Sequence, residues 1–409
     1  MFRKVDIIFS VEHKDRELDS YKIIARKLSK DYGLKTLIIS NAFHRHYFWL
    51  YRAKVYVFNN INQNTKWPNN FLWDAFGDNV KYISHKWDQL LFPIYEEMFR
   101  PRTNFAKKIV KYVVWSEYFK NYLIKHGVKR SNIIIAKKIS LEFLNVFVKK
   151  NSIKYRTKLS EEFNFPKDKK ILFIPINYLW AFFTDKNVEH RIALGMQKEF
   201  AQKFRRYTKL SLKKFIKFCL KLSSDKDLVL IIRPHPSITV KDYIKKFHQF
   251  TNKIPNNIIF NKAYSIKEWI AASDIIGSSW STAVWESYSV GKKSFYFTPL
   301  PRYSWLDTYW LKQVPNIKNI TEFYNILNNK TSQKNYLDNE DSSALQFCNF
   351  LVKNVKEVQN VKIKKINLIY LTFFFKFFIK NLLCKYFNFL FINKKIINDW
   401  FDVIKNGKY

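Results

Sequence analysis

The chain has 409 residues, a formal net charge of +39 and a hydrophobic share of 47%. That length can bury a large core, in about two domains. Only seven glycines are present, and the absence of a G-x-G-x-x-G or Walker A pattern argues against a Rossmann dehydrogenase or a P-loop NTPase. The charge points to a polyanionic partner such as a membrane surface, nucleic acid or acidic glycan. A compositional bias toward Lys, Asn, Ile, Phe and Tyr, as in an AT-rich gene, accounts for it equally well.

In chain order, VDIIFSV (5–11) reads as a strand, with no signal-peptide pattern before it. Residues 19–33 read as a helix that Gly33 stops. Strands follow at 34–40, 54–60 and 80–85, with a helix near 43–51. A helix at 118–127, ended by Gly127, leads to a strand at 132–136. This alternation predicts a parallel sheet with right-handed crossovers, giving a first domain over 1–150. Residues 140–169 look charged and irregular, as a connection between domains. ILFIPI (171–176) restarts the pattern. A long helical stretch at about 190–222, the strand LVLII (228–232), NIIF (257–260), the helix IKEWIAAS and the strand KKSFYF (292–297) complete a second α/β domain over 166–328. Ser265 and Glu268 have capping-box spacing.

Residues 340–409 change character. The stretch 362–395 is apolar, aromatic and studded with lysines. It is a poor transmembrane span, because Lys376 and Lys380 would sit mid-bilayer at about 2.5–3.5 kcal/mol each. An interfacial helix with snorkelling lysines and a helix packed back on the first domain both fit. Residues 209–222 offer a second basic surface, with Lys213, Lys217 and Lys221 on one stripe, or else a plain solvated helix face. Cys219, Cys348 and Cys384 match no zinc or redox spacing and fit a reducing cytoplasm.

The most informative feature is a pair of motifs. Arg233-Pro234-His235-Pro236 follows LVLII directly. SSWSTAVWES (278–287) follows the strand-like Asp274–Gly277. Both fall at carboxyl ends of strands, where open α/β sheets bind ligands. The second motif opens a helix with Ser278, Ser279, Ser281 and Thr282, a setting for an anion. Glu286 lies one turn further and suits ribose hydroxyls. His235, held between two prolines, can offset charge on a leaving phosphate. Arg233 can clamp a phosphate. The bland readings are a structural turn for His235, an ion pair to Asp274 or Glu286 for Arg233, and simple N-capping for Ser281 and Thr282.

This pair resembles the carboxyl-terminal half of GT-B glycosyltransferases that build bacterial surface polysaccharides. The match runs over about 225–300, with a further likeness at 110–140. Two branches are similar: CMP-sugar-dependent sialyl and Kdo transferases, and CDP-glycerol glycerophosphotransferases, in which Arg-Pro-His-Pro is frequent. The resemblance implies two Rossmann-like domains facing a cleft, with C-terminal helices. It implies a CMP- or CDP-linked donor, a glycan or lipid-linked acceptor, no metal, no further cofactor and no nucleic acid. It places the protein in the cytoplasm, peripheral to the inner face of the membrane, in capsule- or lipopolysaccharide-type synthesis. A transferase also needs a base for the acceptor hydroxyl. His85 and Asp15, each after a strand of the first domain, are the leading candidates. Asp74 and Asp78 follow them. In teichoic acid polymerases, which the second branch resembles, a His-Gly dipeptide follows a strand at a comparable place, whereas Lys86 stands here. Rival functions are a polyol phosphotransferase, a GT-B-fold sugar-nucleotide 2-epimerase and a basic nucleic-acid-binding protein. The last lacks any recognisable module.

Overall fold

A computed structural model describes residues 3–12, 14–41, 43–66, 68–87, 89, 92, 99–193, 196–235, 237–329, 343–365 and 369–386. They divide into two compact units. The first takes those within 1–91, 95–142 and 341–409; the second takes those within 92–94 and 143–340.

The first unit is a six-stranded sheet of β1 (Arg3–Val11), β2 (Thr36–Ser40), β3 (Tyr51–Phe58), β4 (Lys81–His85), β5 (Lys111–Val114) and β6 (Ile133–Ile135), in the order β2-β1-β3-β4-β5-β6. Every pairing is parallel. Parallel sheets are covered on both faces, so their strands read as unbroken apolar runs. β1 shows this, with Ile7, Ile8 and Phe9 all fully buried. The expected helix after β1 runs Asp19–Tyr32 and ends at Gly33, whose φ of 64° is the left-handed stop that glycine adopts without strain.

The second unit repeats the scheme with β7 (Lys170–Pro175), β8 (Leu228–Arg233), β9 (Ile258–Phe260), β10 (Ile275–Ser278), β11 (Lys293–Phe297) and β12 (Asn316–Ile317), ordered β12-β11-β10-β7-β8-β9. These pairings too are all parallel. Gly277 of β10 lies under the Phe295 ring of β11, and a Cβ there would run into that ring.

Three expectations need correction. Residues 140–169 are not irregular: Ile139–Glu162 is a continuous helix of 24 residues. Its apolar residues are scattered around the axis, so no stripe marks it. Ile139, Leu141 and Leu159 are buried, whereas Ile153 is 84% exposed. The helix expected over 43–51 shrinks to one turn, Tyr47–Leu50, because β3 already begins at Tyr51. The stretch at 190–222 is two helices, Asp185–Ala193 and Lys198–Leu222. The longer one buries Leu212, Phe215, Ile216, Cys219 and Leu222 and exposes Lys213, Lys217 and Lys221, as the stripe predicted.

The helix Ile369–Tyr386 belongs to the first unit. Tyr370 is buried in its core, and Phe373 and Phe377 pack against that core. The Tyr370 hydroxyl donates to Asp74, and Lys364 pairs with Asp78 at 2.7 Å. Both of these aspartates therefore hold the C-terminal segment. The opposite face stays apolar and open: Phe375 and Ile379 are each 50% exposed. Among the described residues no helix is long and apolar enough to cross a membrane.

Candidate functional site

In the second sheet β7 lies between β10 and β8, so the chain leaving β7 is flanked by both sequence motifs. Each side is bonded to it. The Ile176 N–H donates to the Arg233 carbonyl at 3.0 Å. The Ser278 hydroxyl donates to the Pro175 carbonyl at 2.7 Å, and the Trp280 indole donates to the Asn177 carbonyl at 2.6 Å. The Tyr178 hydroxyl meets the Ser279 hydroxyl. The expected residues are thus gathered at one edge of one sheet, on either side of residues 176–178.

His235 is half-buried. Its Nδ1 accepts the Ser237 N–H at 3.2 Å, which puts the proton of the neutral ring on Nε2. The Ile238 N–H donates to the His235 carbonyl at 3.0 Å. This tight turn fixes the imidazole. Ser281 is the N-cap of the helix Thr282–Ser289, with no capping bond from its side chain. The Val284 N–H turns back to the Ser281 carbonyl at 3.1 Å, and the Thr282 and Ala283 amides before it have no intrahelical acceptor. Ser281 and Thr282 are half-buried, and their hydroxyls have no partner among the described residues. The simple-capping reading therefore does not account for Ser281. Glu286 lies one turn on, half-buried. Beside it the buried Trp285 donates its indole N–H to Gln313 at 2.7 Å.

Two of the expected residues also serve neighbouring parts of the chain. Ser279 is 3% exposed and engaged by Tyr178, so it supports the loop. Arg233 directs Nη1 to the carbonyls of Lys262 at 2.8 Å and Ala263 at 3.2 Å, tying β8 to the loop after β9. It does not pair with Asp274, whose carboxylate takes Arg156 at 2.8 Å and the Ile171 N–H at 2.7 Å.

Sequence reasoning missed Tyr178, Trp280 and Arg302. All three stand in loops at carboxyl ends of strands: Tyr178 in INYLW, Arg302 in PLPRYSW, and Trp280 inside the SSWSTAVWES motif already singled out.

In the first unit His85 ends β4. It is 5% exposed, packed between Trp87 and Phe347 with ring centroids 4.4 Å away on each side. Its Nδ1 lies 3.2 Å from the Tyr21 hydroxyl. Burial drives its pKa down to about 3. A neutral ring sealed in aromatics has no path to an acceptor hydroxyl in this conformation. Asp15 falls in a π-helical turn, Lys14–Leu18, directly after β1; its side chain and all of His13 lie outside the described part. The same strand end carries two carboxylates. Asn59 donates to Glu12 at 2.7 Å and to Glu17 at 3.3 Å, and Glu17 is fully buried. Among the described residues no group of His, Cys, Asp and Glu could hold a metal ion.

Two Rossmann-like units, each with a six-stranded parallel sheet, define a GT-B-like α/β fold. Solved structures share it at low identity. A putative UDP-N-acetylglucosamine 2-epimerase from Listeria monocytogenes has a TM-score of 0.55 and 12% identity, over 89% of this chain and 100% of that one. The S. aureus MnaA–UDP co-structure gives 0.52 and 11%, over 88% and 98%. A variant of the wall teichoic acid polymerase TagF soaked with CDPG gives 0.51 and 14%, over 86% and 89%. No protein-family model and no curated relative matches the chain.

Proposed function

We propose that this protein is a nucleotide-sugar-dependent GT-B glycosyltransferase of bacterial surface-carbohydrate synthesis, acting on a glycan or lipid-linked acceptor. One observation carries the reading. The exit of β7 is bracketed by a fixed imidazole, His235, and by a helix start whose Ser281 and Thr282 hydroxyls and Thr282 and Ala283 amides have no partner among the described residues. Such a corner suits a phosphate, with Glu286 one turn away for ribose hydroxyls. In this reading His235 offsets charge on the departing phosphate. The base that takes the acceptor proton comes from the β1 exit, where Asp15 and Glu12 stand, rather than from His85.

A second reading, transfer of a polyol phosphate from a CDP-linked donor, is favoured by Arg233-Pro234-His235-Pro236 and by the likeness to the teichoic acid polymerase. The epimerase likeness supports the same kind of nucleotide corner. The exposed apolar face of Ile369–Tyr386, with Lys376 exposed among Phe375 and Ile379, supports a peripheral membrane location. Thermal shift with CMP, CDP, UDP and a DNA oligomer side by side tests the nucleotide reading. Ligand at 100 times its Kd stabilises by about 2.7 kcal/mol, so a cytidine or uridine nucleotide should raise the melting temperature while the DNA does not. Stabilisation by DNA alone would overturn it.

A further inference from the structure

A row of aromatic rings reaches the surface of the second unit beside the loops that leave β10 and β11. The Trp280 ring lies 6.0 Å from the Tyr207 ring, and Tyr207 lies 5.5 Å from Tyr303. Tyr303 stacks on Trp305, with centroids 4.9 Å apart and planes 12° from parallel. Phe200 follows, 4.3 Å from Trp305. The row starts inside and opens outward: Trp280 and Tyr207 are buried, whereas Tyr303 is 43% exposed. Trp305 and Phe200 are half-buried.

The backbone holds the outer pair. The N–H groups of Leu306 and Asp307 donate to the Tyr303 carbonyl at 2.8 and 3.1 Å. They close the tight turn Ser304–Leu306, in which Leu306 is buried. An ion pair lies alongside. Lys203 bonds Glu199 at 2.6 Å, one turn apart on the exposed side of the helix Lys198–Leu222. That bond raises the Lys203 pKa, and Tyr303 adds to the rise, so the ammonium stands close to the ring pair.

A single exposed tyrosine needs no explanation. A parallel Tyr–Trp pair on a fixed turn, with an ion pair at its rim, has a definite chemistry. An aromatic face is electron-rich. A hexopyranose offers such a face a set of weakly positive C–H bonds, while its hydroxyls project around the edge toward groups such as an ammonium and a carboxylate. Tyr and Trp present this area with little entropy to lose. An acyl chain would cover the rings but leave the ion pair unused.

We infer that Tyr303 and Trp305 form a stacking platform for a sugar ring of a glycan, two aromatic rings away from Trp280 of the nucleotide corner. Naming that glycan the acceptor rests on the glycosyltransferase reading above.

The test starts with the full chain on an array of bacterial oligosaccharides built of hexoses, N-acetylhexosamines, uronic acids and sialic acids. The tightest binder is then titrated by calorimetry into wild type, Tyr303→Phe, Tyr303→Leu and Lys203→Ala, with CDP, UDP and anionic vesicles in parallel. Tyr303→Phe should bind like wild type, because the stack needs only the ring. Tyr303→Leu still covers Trp305 but has no aromatic face, so saccharide binding should weaken about tenfold. Lys203→Ala, on an exposed helix face, should weaken it about threefold and reads the platform even if the Leu variant fails to fold. Nucleotide and vesicle binding should stay unchanged in all three. An array from which wild type captures nothing, or saccharide binding that Tyr303→Leu and Lys203→Ala leave intact, overturns the platform and leaves the nucleotide corner standing. Loss of CDP and UDP binding in folded Tyr303→Leu would make the ring a nucleobase contact, and loss of vesicle binding would make it a membrane contact; each overturns the sugar platform. A wild type that binds saccharide through Tyr303 but neither nucleotide keeps the platform and overturns the glycosyltransferase reading instead.

Discussion

His85 and His235 occupy equivalent places: each stands at or just past the carboxyl end of a strand in a six-stranded parallel sheet. Their surroundings differ completely. His85 is enclosed by Tyr21, Trp87 and Phe347. His235 is half-buried in a turn bounded by prolines, at an edge where the Ser281 and Thr282 hydroxyls have no partner among the described residues. A strand end only offers a position for chemistry. Whether a side chain there can react depends on what covers it. In the first unit aromatic packing closes the β4 exit. In the second, Tyr178 and Trp280 are buried at the β7 exit, while His235, Ser281 and Thr282 beside it stay half-buried.

The strongest way to break this contrast is Ala substitution at both histidines. His235→Ala should lower donor turnover by about 10²–10³, the usual effect of losing one electrostatic stabiliser. Its melting should stay within about 1 kcal/mol of wild type. Full activity, or unfolding, would make His235 a structural turn. His85→Ala should do the reverse. It removes a buried ring and a hydroxyl partner, so a stability loss of about 2–4 kcal/mol is expected by denaturant titration. Turnover per folded molecule should hold. A stable, inactive His85→Ala would return that residue to the chemistry.

A smaller effect concerns acid. Burial drives His85 from the ordinary 6.5 to about 3 and His44 to about 4. Burial, with His44 adding repulsion, brings His46 to about 4. Each ring takes up its proton more readily in the unfolded chain, so acid favours unfolding. The stability these neutral rings carry is complete above their ordinary value. It is lost as pH falls through 6.5 toward 4 for His44 and His46, and toward 3 for His85. All three lie in the first unit. Hydrogen exchange of β1, β3 and β4 should therefore quicken between pH 7 and pH 4.5, after correction for intrinsic rates. Unchanged protection would show that these rings do not govern the first unit's stability.

The sequence made the frame legible because buried parallel strands are unbroken apolar runs, and both sheets contain several: VDIIFSV, ILFIPI, LVLII. It also marked the site, since Pro-His-Pro and a hydroxyl-rich helix start are unusual at strand ends. It did not show closure. Nothing local to His85 indicates that Phe347, far along the chain, covers its ring. Nor did it show that Arg233 also ties β8 to carbonyls about thirty residues on. The helix Ile139–Glu162 escaped because its apolar residues follow no single stripe, and periodicity is the signal on which such a reading rests.

The smallest expected effect separates the open corner from the surface of the closed unit. The helix Ile369–Tyr386 is anchored by Tyr370, Phe373 and Phe377, so deleting it would strip the core of the first unit and confuse any binding result. Its outer face can be altered alone. Phe375→Ser with Ile379→Ser removes two half-exposed apolar side chains and leaves the inward ones in place. If this face enters the headgroup region, binding to vesicles containing anionic lipid should weaken about tenfold, at roughly 0.7 kcal/mol for each partly inserted side chain. Binding should also fall with salt, because Lys376 lies on the same helix and each such cation adds about 1 kcal/mol at an anionic surface. Nucleotide binding at His235 and Ser281 should be untouched. Vesicle binding that the double substitution leaves intact would assign the face to some other contact.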